Sequence, residues 1–327
     1  MIKEYSSFLL LFIWFSYFAY ILILPLYVTG NYHTFGTDVK KFIQSIIITH
    51  LKHGFNPNIQ YNELIKQSDD KIDIIIGNHM STIDWEFVLT YLYYSGIHDY
   101  NMVGKSDLKF FPGCGFIFMI DNHIKLRRNW EEDKDTLSKQ INKINKGIIF
   151  IFPEGTRFEV GKHEEGQQFS LKNNLPVYNN LLVPKSKGLW RIFNELKQKN
   201  KLGKIFDLTI IIENLKGKSA YLDDISKKGT GKVYIINREI EHPIKYSENE
   251  DFKKWLLKEW KMKDLLIDNY KKINYENMKL KDNLFDVYIS FLLITISTYG
   301  MIKRKEIRYY ILTCVVIAYL IAFFKKY

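Results

Sequence analysis

The chain has 327 residues, a formal charge of +11 at pH 7, 46% hydrophobic and 16% aromatic residues, and two cysteines. That length supports a substantial core, while Cys114 and Cys314 exclude a disulfide-stapled scaffold and fit no metal spacing, which predicts a reducing compartment. The positive charge suits anionic surfaces of several kinds; with no nucleic-acid reader motif and with long apolar ends, a nucleic-acid partner is not expected.

No Lys, Arg, Asp or Glu occurs between Tyr5 and Thr37, and Phe8 to Val28 is nearly unbroken apolar. At about 1.5 Å per residue it is long enough to cross a hydrocarbon core of roughly 30 Å, so residues 1–37 read as a membrane anchor with Pro25 as a kink point. A cleaved signal peptide fits less well, because the stretch is long and its charged start is only Lys3 beside Glu4.

The β-branched run Ile72 to Ile76 then reaches Gly77, and the helical pattern Phe87, Val88, Tyr91, Leu92 follows. Between them stands Asn78-His79-Met80-Ser81-Thr82-Ile83-Asp84. Ser81 is predicted as N-cap, Asp84 as the third helical residue, and His79 in the turn before the helix. Two residues five apart on one helix point roughly 140° away from each other, so His79 and Asp84 meet only if the histidine stands off it. A helix N-terminus disfavours an imidazolium and favours a carboxylate, and an imidazole held by a carboxylate is a general base. A plain capping aspartate beside a histidine bonded to a carbonyl is the alternative.

Strand-like runs near Met102, Ile124 and Ile148 enclose the helical stripe Leu137, Ile141, Ile144. The run Gly147 to Phe152 turns through Pro153, Glu154, Gly155, Thr156 and Arg157. Gly155 lets the backbone approach a ligand, and Arg157 offers a planar fork suited to a phosphate monoester. Glu154 would hold that arginine or receive a hydroxyl; the alternative is a surface Glu-Arg pair of little energetic weight. Further strand-like runs near Leu181, Leu208 and Val233 precede the stripe Phe252, Trp255, Leu256, Leu266, Tyr270. Lys258 to Lys281 is rich in Lys, Asp and Asn and reads as a solvated helix face. This alternation predicts an α/β fold, a mostly parallel sheet flanked by helices with active residues at strand ends. The catalytic domain would span 38–283, with a helical extension from about 250. Val287–Ile302 and Tyr309–Phe324, split by Lys303, Arg304, Lys305, Glu306 and Arg308, would form a membrane-associated hairpin over 284–327, each arm only about 24 Å long as a helix.

Four blocks occur in fixed order: Asn78-His79 to Asp84-Trp85; Arg128-Asn129-Trp130-Glu131-Glu132-Asp133; Glu154-Gly155-Thr156-Arg157-Phe158; and Val183-Pro184-Lys185-Ser186-Lys187-Gly188. In these blocks the chain resembles the lysophosphatidic acid acyltransferases, also called 1-acylglycerol-3-phosphate acyltransferases, over roughly residues 70 to 270. The Arg-x-Trp-x-x-Asp form, Lys162-His163, Asp207-Leu208-Thr209 and the stretch from Trp255 to Lys263-Asp264 are most similar to the eukaryotic branch that includes lysocardiolipin acyltransferases. Two departures stand out. Lys125, not Phe, lies three residues before Arg128, which leaves Arg127 and Arg128 both as candidates, and Lys185 stands where relatives commonly carry Arg.

The resemblance implies that His79 takes the proton of a free glycerol hydroxyl as it attacks the thioester of acyl-coenzyme A, with Asp84 orienting the ring. It implies that Arg157 with Arg128 or Arg127 holds the acceptor phosphate, that Glu154, Gly155 and Thr156 belong to the same substrate loop, and that Pro184 and neighbouring apolar residues contact the acyl chain or coenzyme. Lys185, a substrate-binding residue, keeps the charge of the arginine it replaces without its bidentate fork, which bears on head-group preference. Acyl-coenzyme A is then a co-substrate and no cofactor or metal is needed. The partners are a lysophospholipid, acyl-coenzyme A and membrane lipids, and the location is an internal membrane such as the endoplasmic reticulum with the catalytic domain in the cytosol. Lysophosphatidic acid is the expected acceptor. Alternatives are lysocardiolipin or lysophosphatidylinositol as acceptor, a phospholipid-dependent transacylase, a metal hydrolase using His79, Asp84 and His123, and a catalytically silent membrane scaffold.

Overall fold

Every residue of Ile72–Gly77 is buried, and its isoleucines alternate between two apolar cores, as a strand covered on both faces requires. In the computed structural model, which describes residues 19, 23–30, 32–111, 114–218, 220, 225, 231–243, 249–281, 299 and 303–324, this run is the second strand of one sheet. The strands are β1 (Asn58–Tyr61), β2 (Ile72–Gly77), β3 (Tyr100–Lys105), β4 (Ile124–Leu126), β5 (Gly147–Ile151), β6 (Leu202–Ile212), β7 (Lys232–Ile240) and β8 (Glu276–Met278). Their order is β4-β3-β5-β2-β6-β7-β1-β8, parallel throughout except for the β6/β7 and β1/β8 pairs.

The helices are α1 (Leu24–Val28), α2 (Tyr32–His50), α3 (Asp84–Tyr94), α4 (Cys114–Ile120), α5 (Trp130–Ile141), α6 (Val160–Lys172), α7 (Ser186–Gln198), α8 (Asn249–Asn269) and α9 (Lys305–Phe324). On one face Ile75, Ile148, Phe150 and Leu208 pack with Ile43 and Ile46 of α2, Phe87 and Tyr91 of α3, and Phe116 of α4. On the other, Ile72, Ile74, Ile76, Ile149 and Ile151 pack with Leu137 of α5, Ile192 and Phe193 of α7, and Phe252 and Trp260 of α8. The predicted α/β architecture, a mostly parallel sheet between helices, is the observed one.

Leu181 is not in a strand. Pro176 and Pro184 remove ladder donors around it, and Asp264 of α8 takes the chain instead, accepting from the backbone N–H of Asn179 at 2.9 Å and of Asn180 at 2.8 Å. Leu181 and Leu182 are still buried, so the apolar signal marked core rather than sheet. Lys258–Lys281 is likewise not a uniformly solvated face. Trp260, Lys263, Asp264 and Ile267 share the helical period that turns inward and are buried, while Met262 and Leu265 are exposed.

The predicted anchor is described only at Ala19 and from Ile23 onward, where Pro25 stands in the first turn of α1. Helix α2 runs through residue 37, so the expected boundary between anchor and catalytic domain falls inside a helix whose Ile43 and Ile46 belong to the main core. Of the two C-terminal runs, Val287–Ile302 lies outside the described residues apart from Tyr299, and Tyr309–Phe324 lies in α9, which packs on α4 and on the 3₁₀ turn Ser106–Phe110. Among the described residues no helix is long and apolar enough to cross a membrane.

Removing the buried carboxylate that organises residues 179–180 strands the backbone N–H groups of Asn179 and Asn180 and weakens the hold on the Asn180 amide. Asp264→Ala is expected to lower unfolding free energy by about 3 kcal/mol in denaturant melts of the purified protein.

Candidate active site

Strands β2 and β5 are parallel neighbours, with Ile76 opposite Ile151, so the segments leaving their C-terminal ends meet. Asn78 continues the β2–β6 ladder with its side chain: its amide donates to Ile210 O and accepts from Ile210 N, both at 2.8 Å. Gly77 has no room for a side chain, because a Cβ there would come within 2.9 Å of the Phe150 ring. That close approach seats Phe150 against Phe152, whose ring lies parallel to His79 with centroids 4.2 Å apart.

His79 Nδ1 lies 3.0 Å from Asp84 Oδ2. Asp84 is fully buried, and the same oxygen accepts from the N–H groups of Met80 at 2.5 Å and Ser81 at 2.8 Å, while Oδ1 accepts from the Ser81 hydroxyl at 2.5 Å. An ionised carboxylate only accepts, so Nδ1 carries the proton in this pair and the lone pair is on Nε2. His79 is partly open, its side chain 20% exposed. The predicted convergence of the two residues is therefore present, but the helix starts later than predicted. Asp84 is the first residue of α3 and Ile83 its N-cap. Ser81 does not cap, because its hydroxyl serves Asp84 and Ile83 N, and residues 81–83 form a turn wrapped around the carboxylate.

The His79 backbone is clamped by the second segment. Its N–H donates to Glu154 Oε2 at 3.1 Å, and its carbonyl accepts from Phe158 N at 2.7 Å. Glu154 thus turns inward to the backbone, 2% exposed, and forms no ion pair with Arg157 among the described residues, unlike the grip on that arginine that was one of its two expected roles. Burial pushes its carboxyl well above the usual range, against the pull of the His79 N–H and the Lys263 ammonium, and the Asp84 charge adds to the rise. Gly155 makes this turn possible with a φ of +70°, a conformation that costs other residues about 1–2 kcal/mol.

The cationic residues gather on the rim of the same turn. Arg128 donates to Gly155 O at 2.8 Å, whereas Arg127 pairs with exposed Glu132 at 2.7 Å, so Arg128 is the arginine brought to the site. Lys185 N bonds Pro153 O at 2.8 Å, and its side chain lies over Gly155, its Nζ 3.6 Å from where a Cβ would stand. Pro184 beside it is buried. Thr156 Oγ1 accepts from Lys162 Nζ at 3.1 Å, and half-buried Arg157 precedes the Phe158 link to His79. Phe152 and Lys263 carry contacts that no motif announced; an aromatic residue between the strand and Pro153 was the one visible cue to the first.

The metal-hydrolase arrangement fails on topology. His123 precedes β4, separated from β2 by β3 and β5, and its Nδ1 accepts from Met102 N at 3.1 Å. Burial pushes its imidazole down to about 3, so the ring is neutral. Among the described residues no group of three His, Cys, Asp or Glu side chains is placed to hold a metal ion. His163 is engaged elsewhere, Nε2 lying 2.9 Å from Tyr178 O.

Because the folded protein raises the Glu154 carboxyl, the unfolded chain ionises first as pH rises above its ordinary 4.5. In that window the folded state binds more protons, so Glu154 costs stability as pH rises, up to about 1.4 kcal/mol per pH unit until its folded pKa is passed. Glu154→Gln is expected to flatten this decline in thermal melts recorded across pH, with no gain at pH below about 4.

Residues 58–212 match the family model described as Acyltransferase, a span that runs from the start of β1 to the end of β6 and contains all four blocks. The chain is 27% identical over 207 residues to a probable 1-acyl-sn-glycerol-3-phosphate acyltransferase 5 of Arabidopsis thaliana, covering 62% of this chain and 54% of the relative. It is 28% identical over 199 residues to lysocardiolipin acyltransferase 1 of Gallus gallus, covering 58% and 52%. Over 220 residues it is 27% identical to lysophosphatidylinositol acyltransferase 10 of Caenorhabditis elegans, covering 63% and 56%. The chain spans about half the length of the curated relatives it matches. The crystal structure of the 1-acyl-sn-glycerophosphate (LPA) acyltransferase from Thermotoga maritima aligns over 79% of this chain and 94% of that one, with a TM-score of 0.43 and 17% identity. Residues 58–212 thus resemble the acyltransferase family, and the relatives they match are named as 1-acyl-sn-glycerol-3-phosphate, lysocardiolipin and lysophosphatidylinositol acyltransferases.

Proposed function

We propose that the protein moves a fatty acyl group from acyl-coenzyme A to the free sn-2 hydroxyl of lysophosphatidic acid, giving phosphatidic acid. One observation carries this: His79 has its Nδ1 committed to a buried carboxylate 3.0 Å away, which leaves Nε2 as a base beside a turn that also gathers Arg128 and Lys185, with Arg157 two residues beyond Gly155 in the same loop. Nε2 takes the hydroxyl proton as that oxygen attacks the thioester carbonyl. The tetrahedral intermediate collapses by breaking the C–S bond, and the imidazolium returns the proton to the leaving thiolate. Asp84 stabilises the imidazolium between the two steps, as the third member of a triad does, with the acceptor alcohol replacing an enzyme serine. Arg128 and Arg157 suit a phosphate on the acceptor, and Lys185 adds charge without a bidentate fork.

The relatives named for lysocardiolipin and for lysophosphatidylinositol favour a second reading in which the same chemistry acts on those acceptors. We also propose attachment to membrane, at the endoplasmic reticulum with a cytosolic catalytic domain over 38–283 between an N-terminal anchor and a C-terminal hairpin. The apolar ends and the +11 charge support it, as do exposed Leu108, Phe110 and Phe111 beside α9, where Tyr309, Leu312 and Val316 are exposed too.

His79→Ala and Asp84→Ala are expected to lower kcat by about 10³-fold or more while membrane content is unchanged. Arg128→Ala should raise the acceptor KM about 10-fold, whereas Arg127→Ala should stay within about twofold of the parent. Membranes containing the protein, given labelled acyl-coenzyme A and a panel of lysolipids, report the acceptor by which diacyl product forms. Product made from phospholipid without acyl-coenzyme A would select the transacylase, and full turnover by the His79 variant would contradict the mechanism.

A further inference from the structure

Lys263 is wholly buried, and acyl transfer as written makes no use of it. It rises from α8, on the sheet face opposite α3, and its ammonium donates to Leu208 O at 2.9 Å and to Ile76 O at 3.3 Å. Those carbonyls lie on neighbouring parallel strands, where Ile76 stands opposite Asp207 and Gly77 opposite Leu208. Lys263 therefore bridges β2 and β6 three residues before His79. An ion pair with Asp207 fixes it there, and its ammonium lies 4.9 Å from the centre of the Trp260 ring.

The charges behind Lys263 are balanced. Arg238 Nη2 lies 2.9 Å from Asp207 and 2.9 Å from Glu259, so two cations and two carboxylates form one group. Glu154, on the site side, is a further buried carboxyl beyond that balance. The charged groups that face it are Lys263 from α8 and Asp84 from α3, with Asp207 and Arg238 standing behind Lys263. A buried carboxyl remote from any cation becomes neutral, and its hydrogen bond to a backbone N–H is then roughly half as strong as that of the ion. Glu154 makes that bond to His79, the residue whose ring must be aimed within a fraction of an ångström.

We propose that Lys263 is a positioning residue of the acyl-transfer site: tied across β2 and β6 and to Asp207, it provides the positive field in which Glu154 holds the His79 backbone and so aims the imidazole. This rests on the acyl-transfer function proposed above. Lys263 is wholly buried and touches neither substrate, so the aim of the ring, not substrate affinity, is what it governs.

The test uses the full chain in membranes. Lys263→Met alone leaves Asp207 facing one fewer cation in the interior, so it is paired with Lys263→Met/Asp207→Asn, which removes both charges and leaves Arg238 with Glu259. In the double variant kcat is expected to fall about 10- to 100-fold while both KM values stay within about twofold. The acid limb of kcat should move to higher pH, since Glu154 loses its cation. Adding Glu154→Gln should cause no further loss and should abolish the shifted limb, because both changes act on one path. A kcat within about twofold of the parent, a loss confined to KM, or a loss that Glu154→Gln multiplies would each overturn the assignment. Should neither Lys263 variant accumulate, Glu154→Gln alone decides: about a 10-fold lower kcat with unchanged KM supports the proposal, and an unchanged kcat overturns it. Failure of the underlying function looks different. There the parent chain makes no diacyl product from any lysolipid, or His79→Ala makes as much as the parent, whereas failure of this assignment leaves a His79-dependent enzyme that ignores Lys263.

Discussion

A single buried carboxylate organises the site. Asp84 accepts from the His79 ring, from two successive backbone N–H groups and from the Ser81 hydroxyl, and a group that only accepts satisfies all of them at once. The turn before α3 takes its shape from those bonds, and so does the direction of the imidazole. Burial makes the group costly unless every lone pair is used, which explains why four donors converge on it. An alanine there removes the orienter and also leaves the Met80 and Ser81 N–H groups without their acceptor.

The sheet brings the rest of the site to this point. Parallel neighbours β2 and β5 end side by side, and each releases a short segment: the first carries the base, the second the clamp on its backbone and a share of the cationic rim. Block four joins through one backbone bond, Lys185 N to Pro153 O, and block two through Arg128 to Gly155 O. Stretches as far apart in sequence as Asn78 and Lys185 thereby meet at the C-terminal ends of central strands, the usual place for ligands in open α/β folds. From the opposite face α8 sends Lys263 under the same strand ends, so helices on both sides of the sheet contribute to the site.

His79 and Asp84 were legible because their geometry is local: five residues with a turn between them leave few ways to meet. The strands at Ile72 and Ile148 were legible because strands buried on both faces between parallel neighbours are continuous apolar runs. Three-residue β8 and four-residue β1 carry too few apolar positions for that signal. Leu181 misled because core contact and sheet membership look alike in a short run between prolines, and what holds it, Asp264, is remote in sequence. Remoteness also hid Lys263 and the inward turn of Glu154. A lysine amid Lys, Asp and Asn reads as solvated until its helix phase is known, and the Glu154 partner is a backbone N–H, which no residue type announces.

The central claim is that Asp84 fixes the proton of the His79 ring on Nδ1 and leaves Nε2 bare toward the acceptor. Nitrogen NMR of the isotope-labelled histidine ring, assigned by comparison with His79→Ala, reads this directly. A proton on Nδ1 that is lost from that position when Asp84 is replaced by alanine is the expected result. A ring carrying its proton on Nε2, with Nδ1 bare against the carboxylate, would contradict it.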